Sequence, residues 1–272
     1  MERLKPALKL KKSPLVYIVA QVSFSAVEAI AKYLPDIQDE FRKRFPRFTT
    51  GETRNIRISP NAPPDISFVP RFEFQNRERT CGIVLQKDSV AVHVSRYSSF
   101  EEFCLLVQTA LDTVHKVVTL GLIDRIGLRY VDLIRMGDGE TLDCYLQPGL
   151  LGLDDRKMKI KNPLRMSTFQ GFTDAGRLNL RMSQRLDGGT LPPDIDPTTL
   201  IHSTNDLKLG EIITLLDIDH FHQFIEEQLD FSTDKVLQYL WKLHEHTDLA
   251  FRSSITDYGL KVWGAEETDE TC

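Results

Sequence analysis

Charged side chains sit at alternate positions inside strongly apolar runs, and these are the residues of the sequence best placed to do chemistry. In Leu122-Ile-Asp-Arg-Ile-Gly-Leu-Arg-Tyr-Val-Asp-Leu-Ile134, a period of two puts Arg125, Gly127 and Arg129 on one face of a strand. Ile126, Leu128, Tyr130 and Ile134 take the other face. The two arginines then lie about 13 Å apart along the strand. Leu216-Asp-Ile-Asp219 repeats the pattern with the opposite sign, with Asp217 and Asp219 on a common side. A guanidinium in a largely buried strand needs a carboxylate, a phosphate or several carbonyl oxygens beside it, because an unpaired buried charge costs several kcal/mol or more. Two readings follow. The arginines and aspartates satisfy one another as structural ion pairs that hold strands in register, or one arginine stays available to clamp a phosphate or carboxylate in bidentate fashion.

A second set of cations lies further along. Arg177, Asn179, Arg181, Ser183 and Arg185 point one way, and Leu178, Leu180, Met182 and Leu186 the other. With Arg156, Lys157, Lys159, Lys161 and Arg165 they form the most basic region of an acidic chain. Such a region is either a solvated, charge-protected sheet face or a docking surface for an acidic partner, RNA or a nucleotide. Histidines suggest metal chemistry less well than they first promise. His220 and His222 follow the two aspartates, but strand alternation turns them to the opposite face. His244 and Asp248 share a helix face at i, i+4, while His246 points elsewhere, and H-E-x-x-H is missing. No metal and no cofactor is therefore expected. G-x-S-x-G, a Walker loop and a dinucleotide G-x-G-x-x-G are all absent, which leaves no candidate catalytic residue. Trp241 and Trp263 read as packing residues.

The elements that must position these groups are legible from periodicity. Leu15 to Phe24 alternates as a strand. Ser25 then caps a helical pattern that Pro35 interrupts, with Ile37, Phe41 and Phe45 continuing it. Four short antiparallel strands are predicted between Glu52 and Arg96, punctuated at Ser59-Pro-Asn-Ala-Pro-Pro64, Gln75-Asn76 and Lys87-Asp88. Ser98 or Ser99 caps a helix through about Leu120, and the central arginine strand follows. Gly137 to Asn162 is loose. Met166–Phe172 and 177–186 form a hairpin about Thr173-Asp-Ala-Gly176. The proline-rich stretch 191–205 is a loop, Glu211 to Asp219 a strand, and Ser232 or Thr233 starts a last helix that runs to the region of Asp257. Residues 1–13 read as a solvated basic arm, and 266–272 as an acidic fray.

At 272 residues the chain is long enough to bury a substantial core. Its net charge of -5 argues against a general nucleic-acid coat. No apolar run reaches the roughly 20 residues of a membrane helix, and no signal peptide is expected. Cys81, Cys104, Cys144 and Cys272 lack C-x-x-C spacing, which predicts reduced thiols in a cytoplasmic protein.

Pro14-Leu-Val-Tyr17, Tyr97-Ser-Ser-Phe-Glu-Glu-Phe103, Arg125-Ile-Gly-Leu-Arg-Tyr-Val131, Leu216-Asp-Ile-Asp219 and Phe251-Arg-Ser-Ser-Ile-Thr256 span almost the whole chain. Together they resemble a sporadically distributed prokaryotic family of unknown function, marked by an R-I-G-L-R-Y-(I/V)-N motif and a later L-D-I-D motif. Asp132 stands where that family usually carries asparagine. The resemblance implies no established activity, cofactor or catalytic residue. The family's patchy distribution implies horizontally moved accessory genes, including defence or toxin-antitoxin settings.

The expected fold is α+β, with mainly antiparallel sheets, long helices packed on one face, and two loosely similar halves, 1–136 and 137–272, that could form one integrated domain. The expected function is non-enzymatic. A basic cleft near Arg125, Arg129, Arg177, Arg181 and Arg185 holds an anionic small molecule or an acidic protein partner, with Asp217 and Asp219 as structural ion pairs. RNA is a less favoured partner, a homodimer is compatible, and no membrane is involved. The alternative is a metal-assisted hydrolase or nuclease using Asp217, Asp219 and His220.

Overall fold

The structure is a computed structural model that describes residues 8–59, 62–153, 155–160, 164–186, 188–195, 200, 211–225 and 229–265. Most of the basic arm, the acidic end and much of the proline-rich loop lie outside the described residues, as do Lys161 and the Arg156 side chain of the basic region.

In chain order the elements are β1 (Leu15–Phe24), α1 (Leu34–Phe41), β2 (Arg47–Ser59), β3 (Ala62–Gln75), β4 (Cys81–Gln86), β5 (Ser89–Val94), α2 (Phe100–Val118) and β6 (Leu122–Ile134). There follow α3 (Pro148–Leu151), α4 (Asp155–Met158), β7 (Met166–Phe172), β8 (Arg177–Arg185), β9 (Ile213–Gln223), β10 (Leu229–Asp230), α5 (Thr233–Ser254) and α6 (Asp257–Val262). The strands form one antiparallel sheet in the order β2-β3-β4-β5-β1-β6-β9-β8-β7, with β10 pairing the start of β6. The protein is thus mixed α+β, dominated by a single sheet in which β6 lies between β1 and β9.

Alternation decides which side of that sheet is covered. Directly opposed residues of antiparallel strands share a face. Val92, Ala20, Leu128 and His220 are such a row, as are Val22 with Ile126 and Tyr130 with Ile218. Onto this side α1 lays Ile37 and Phe41, α2 lays Val107, Leu111 and Val114, and α5 lays Val236, Leu240 and Leu243, all in one buried cluster with the strand residues. Each such large side chain contributes roughly 1.5–3 kcal/mol by leaving water. α2 and α5 start where hydroxyls precede them. Ser99 Oγ accepts from the Glu102 amide at 3.2 Å, and Ser232 Oγ from the Lys235 amide at 3.4 Å. Among the described residues, the other side is roofed at one end only. There Leu191, Ile195 and Leu200 cover Tyr17, Val131, Leu133, Ile213 and Leu215.

Three expectations need correction. The four antiparallel strands expected between Glu52 and Arg96 are present as β2–β5, but the first begins already at Arg47 and the first two are long, 13 and 14 residues. Pro63, Pro64 and Pro70 lie inside β3, where sequence reading takes prolines as punctuation. They fit because β3 pairs β4 only over Phe72–Gln75, so its earlier part is bound on one edge alone and a missing donor breaks no ladder there. The strand holding Asp217 and Asp219 continues to Gln223. The last helix stops at Ser254, and α6 starts afresh where Thr256 Oγ1 accepts from the Gly259 amide at 3.1 Å.

Among the described residues no helix is long and apolar enough to cross a membrane. Cys81, Cys104 and Cys144 are free thiols.

Candidate functional site on the open face of the sheet

Arg125, Gly127, Arg129 and Val131 of β6 face away from the helices, and a cleft of about 550 Å³ lies on that side, lined from β1, β2, β3, β4, β5, β6, β9 (Asp219) and the loop at Asp194–Ile195. Arg129 lies at its roofed end. Its Nε and Nη2 donate to Asp217 Oδ1 and Oδ2 at 2.7 and 2.8 Å, and its Nη1 and Nη2 donate to Asp194 Oδ2 and Oδ1 at 2.9 and 3.0 Å. Two bidentate pairs engage four of the five guanidinium N–H groups. Burial alone would lower its pKa, but the hydrogen bonds and charges of Asp217 and Asp194 push it well above its usual range. Burial likewise pushes Asp217 up, with Arg129 and Arg181 offsetting part of that shift. Asp194, also pushed up by burial, is nonetheless held below the usual carboxylate range by Arg129. Arg181 stands close to the same acids, 3.7 Å from Asp194 and 3.9 Å from Asp217.

Arg125 is held differently. Glycine at 127 leaves a trough along the strand, and the Arg125 guanidinium lies in it: a Cβ at that position would come within 2.7 Å of Nη1. Phe221, directly opposite Gly127 on β9, forms the floor, with the guanidinium carbon 4.3 Å from its ring centroid. The polar partners are weak. Nη1 reaches Gln21 Oε1 at 3.3 Å, and Nη2 stands 3.9 Å from Asp219. Burial lowers the pKa of this guanidinium, with Asp219 offsetting part of the shift.

The opposite wall is a network that sequence reading did not single out. Tyr17 OH and His93 Nδ1 share a hydrogen bond of 3.1 Å, and Glu73 Oε1 accepts from Gln75 Nε2 at 2.8 Å while Oε2 accepts from Arg71 Nη2 at 3.2 Å. His93 Nε2 stands 3.3 Å from Glu73 Oε1 at an angle that falls short of a hydrogen bond. The imidazole fits because its opposite neighbour on β4 is Gly82, where any Cβ would collide with Nε2. Burial pushes the Tyr17 phenol far above its ordinary range, so it stays a neutral hydroxyl. The sequence signal for this wall is the one that marked Arg125: Arg71, Glu73 and Gln75 alternate with Phe72 and Phe74, and His93 sits between Val92 and Val94.

The five arginines of the expected basic cleft separate. Arg125 and Arg129 line it; Arg177, Arg181 and Arg185 do not. Arg177 lies beyond Phe221 and donates to Gln170 Oε1 at 3.3 Å, and Arg185 Nη1 donates to the Leu191 carbonyl at 2.6 Å. Asp219 also accepts from Asn179 Nδ2 at 3.4 Å. His220 is on the helix side, with Nδ1 3.0 Å from the Leu243 carbonyl and Nε2 2.9 Å from Thr173 Oγ1, across the sheet from Asp217 and Asp219. Among the described residues no three His, Cys, Asp or Glu side chains are grouped to hold a metal ion.

In comparisons with known proteins, no family model matches the chain and no curated protein matches it.

Proposed function

We propose that the protein is a non-enzymatic binding or adaptor protein whose open-face cleft holds an anionic group, a carboxylate or phosphate, on Arg125. One observation carries the reading: a guanidinium lying in a cleft, fixed by Gly127 and Phe221, which among the described residues has one 3.3 Å hydrogen bond to a neutral amide and one long 3.9 Å ion pair to Asp219. A guanidinium has five N–H donors, and desolvated ones strongly favour an anion. The cleft's volume suits a small molecule or a single acidic side chain of a partner. It lies where the two strand-then-helix halves, 1–136 and 137–272, share β6 and β9, and pockets favour such junctions. The setting we propose, a prokaryotic accessory one such as defence or toxin-antitoxin, rests on the motif resemblance alone.

The metal-assisted hydrolase built on Asp217, Asp219 and His220 has less support, because the sheet separates the histidine from the acids and Arg129 engages Asp217.

Thermal-shift and calorimetric titration with inorganic phosphate, pyrophosphate and succinate tests the proposal. Wild type is expected to bind at least one of the three saturably, and Arg125→Gln to lose that binding while melting normally. Equal response of both proteins to all three anions would sink it.

A further inference from the structure

The helix-covered side holds a second cavity, of about 850 Å³, and β6 separates it from the cleft. At its base is Asp132, at the bulge where the pairing of β1 with β6 shifts register between Leu15 and Tyr17. Asp132 is only 4 % exposed, yet among the described residues its carboxyl has neither a hydrogen bond nor a counter-ion. The charge that acts on it is a like one, Asp217. A buried polar group without a partner is rare because it forfeits its hydration without compensation. Here the carboxyl borders a cavity instead of packed side chains, so a ligand can supply what the protein does not.

The surroundings say which ligand. Aromatic rings of Tyr97, Phe100, Tyr130 and Trp241 line the cavity, Glu101, Glu102, Glu245 and the Arg252-paired Asp248 add carboxyls, and Lys9 and Lys11 add two ammonium groups at its rim. Leu8 to Lys11 cross it as a strap, fixed by the Lys11 amide to the Gly264 carbonyl at 3.3 Å and the Lys12 amide to the Trp263 carbonyl at 2.9 Å. An anion meets five carboxyl residues against two lysines, and at Asp132 itself no cation stands within ion-pair distance among the described residues. A neutral apolar molecule leaves Asp132 unmatched. Aromatic faces carry negative potential and attract cations, most strongly where water is excluded.

The geometry points to a binding site for an organic ammonium ion, a primary amine carried on an apolar or aromatic body, with its charge on Asp132 and its body among Tyr97, Phe100 and Trp241. A cavity of this size accommodates such a molecule whole. Burial pushes the empty-site carboxyl up to about 8, so in a neutral solution binding of the ammonium must also draw the proton off Asp132.

Phenethylamine is the probe, titrated calorimetrically into the full chain in mildly alkaline buffer, with 2-phenylethanol as its uncharged counterpart. The amine is expected to bind saturably and about tenfold or more tightly than the alcohol. Asp132→Asn, which preserves shape, is expected to lose at least about tenfold in amine affinity, whereas Arg125→Gln on the opposite face leaves it unchanged. Equal binding of amine and alcohol, no saturation by the amine, or undiminished amine binding by Asp132→Asn overturns the assignment. Should that variant not fold, the amine-to-alcohol ratio of the wild type decides alone.

Discussion

Arg125 and Arg129 leave the same face of the same strand, separated by Gly127, and end in opposite circumstances. Arg129 is held by four hydrogen bonds to two carboxylates, one from the neighbouring strand and one from a loop. Arg125 has an aromatic ring beneath it, a neutral amide at 3.3 Å and an acid at 3.9 Å. Residue type, strand and face are shared, so the difference lies in what the rest of the chain brings to each. The Asp194 loop reaches the Arg129 end of the open face and closes it. At the Arg125 end the surface stays concave. Saturation marks the structural charge, and incomplete saturation inside a cleft marks the candidate functional one.

Removing the saturated arginine is expected to have the largest effect. Arg129→Met leaves Asp217 buried without its partner, and loss of one member of a buried pair costs about 3–5 kcal/mol. Urea denaturation reads that loss directly; a change under about 1 kcal/mol would mean that Arg129 is no more structural than Arg125.

Asp132 sharpens the same contrast from the other side of the strand, as a buried carboxyl with no hydrogen bond or counter-ion among the described residues. Its folded-state pKa of about 8 lies above the ordinary 3.8, so the unfolded chain releases this proton first as pH rises. Its contribution to stability is therefore fully present below about pH 4 and is lost progressively up to about pH 8. Asp132→Asn removes that loss. Melts across this range are expected to show the variant more stable than wild type by on the order of a few kcal/mol near pH 8, with little difference near pH 4. A constant difference across the range would assign the effect to packing.

Gly127→Ala disturbs Arg125 without altering any charge. The added methyl must displace the guanidinium from its trough over Phe221, at a stability cost of about 1 kcal/mol or less, because the side chain can swing into the cleft. Anion binding is expected to weaken by about tenfold, seen in the titrations that test Arg125→Gln. That substitution is the smallest perturbation to folding: with no strong ion pair to break, the melt is expected to move by less than about 0.5 kcal/mol. A large destabilisation by Arg125→Gln would erase the distinction between the two arginines.

Much of the fold can be read locally. Alternation in Leu15–Phe24 and Leu122–Ile134 reports strands, and serines ahead of Phe100 and Thr233 report helix starts, because both signals depend on neighbours within a few residues. β3 was less legible, since its prolines are tolerated only where a ladder is missing on one edge, a fact about neighbours distant in sequence. The candidate site divides in the same way. Arg125 stood out as a charge among apolar residues. Arg71, Glu73 and His93 carried the same signature, but strand alternation alone does not say which strands meet around one cleft. Asp194 carried no signal, being one acid in a proline-rich loop, 65 positions from the arginine it neutralises.

By itself the amino-acid order determined which side chains share a face: a period of two in β6 commits Arg125 and Arg129 to one side and Leu128, Tyr130 and Asp132 to the other, whatever surrounds them. Only the tertiary structure decided which of these charges is answered. Electrostatic satisfaction acts over a few ångströms in space and is indifferent to separation along the chain, so a loop aspartate closes one arginine, a glycine and a phenylalanine hold the other open, and a carboxyl across the strand is left facing a cavity.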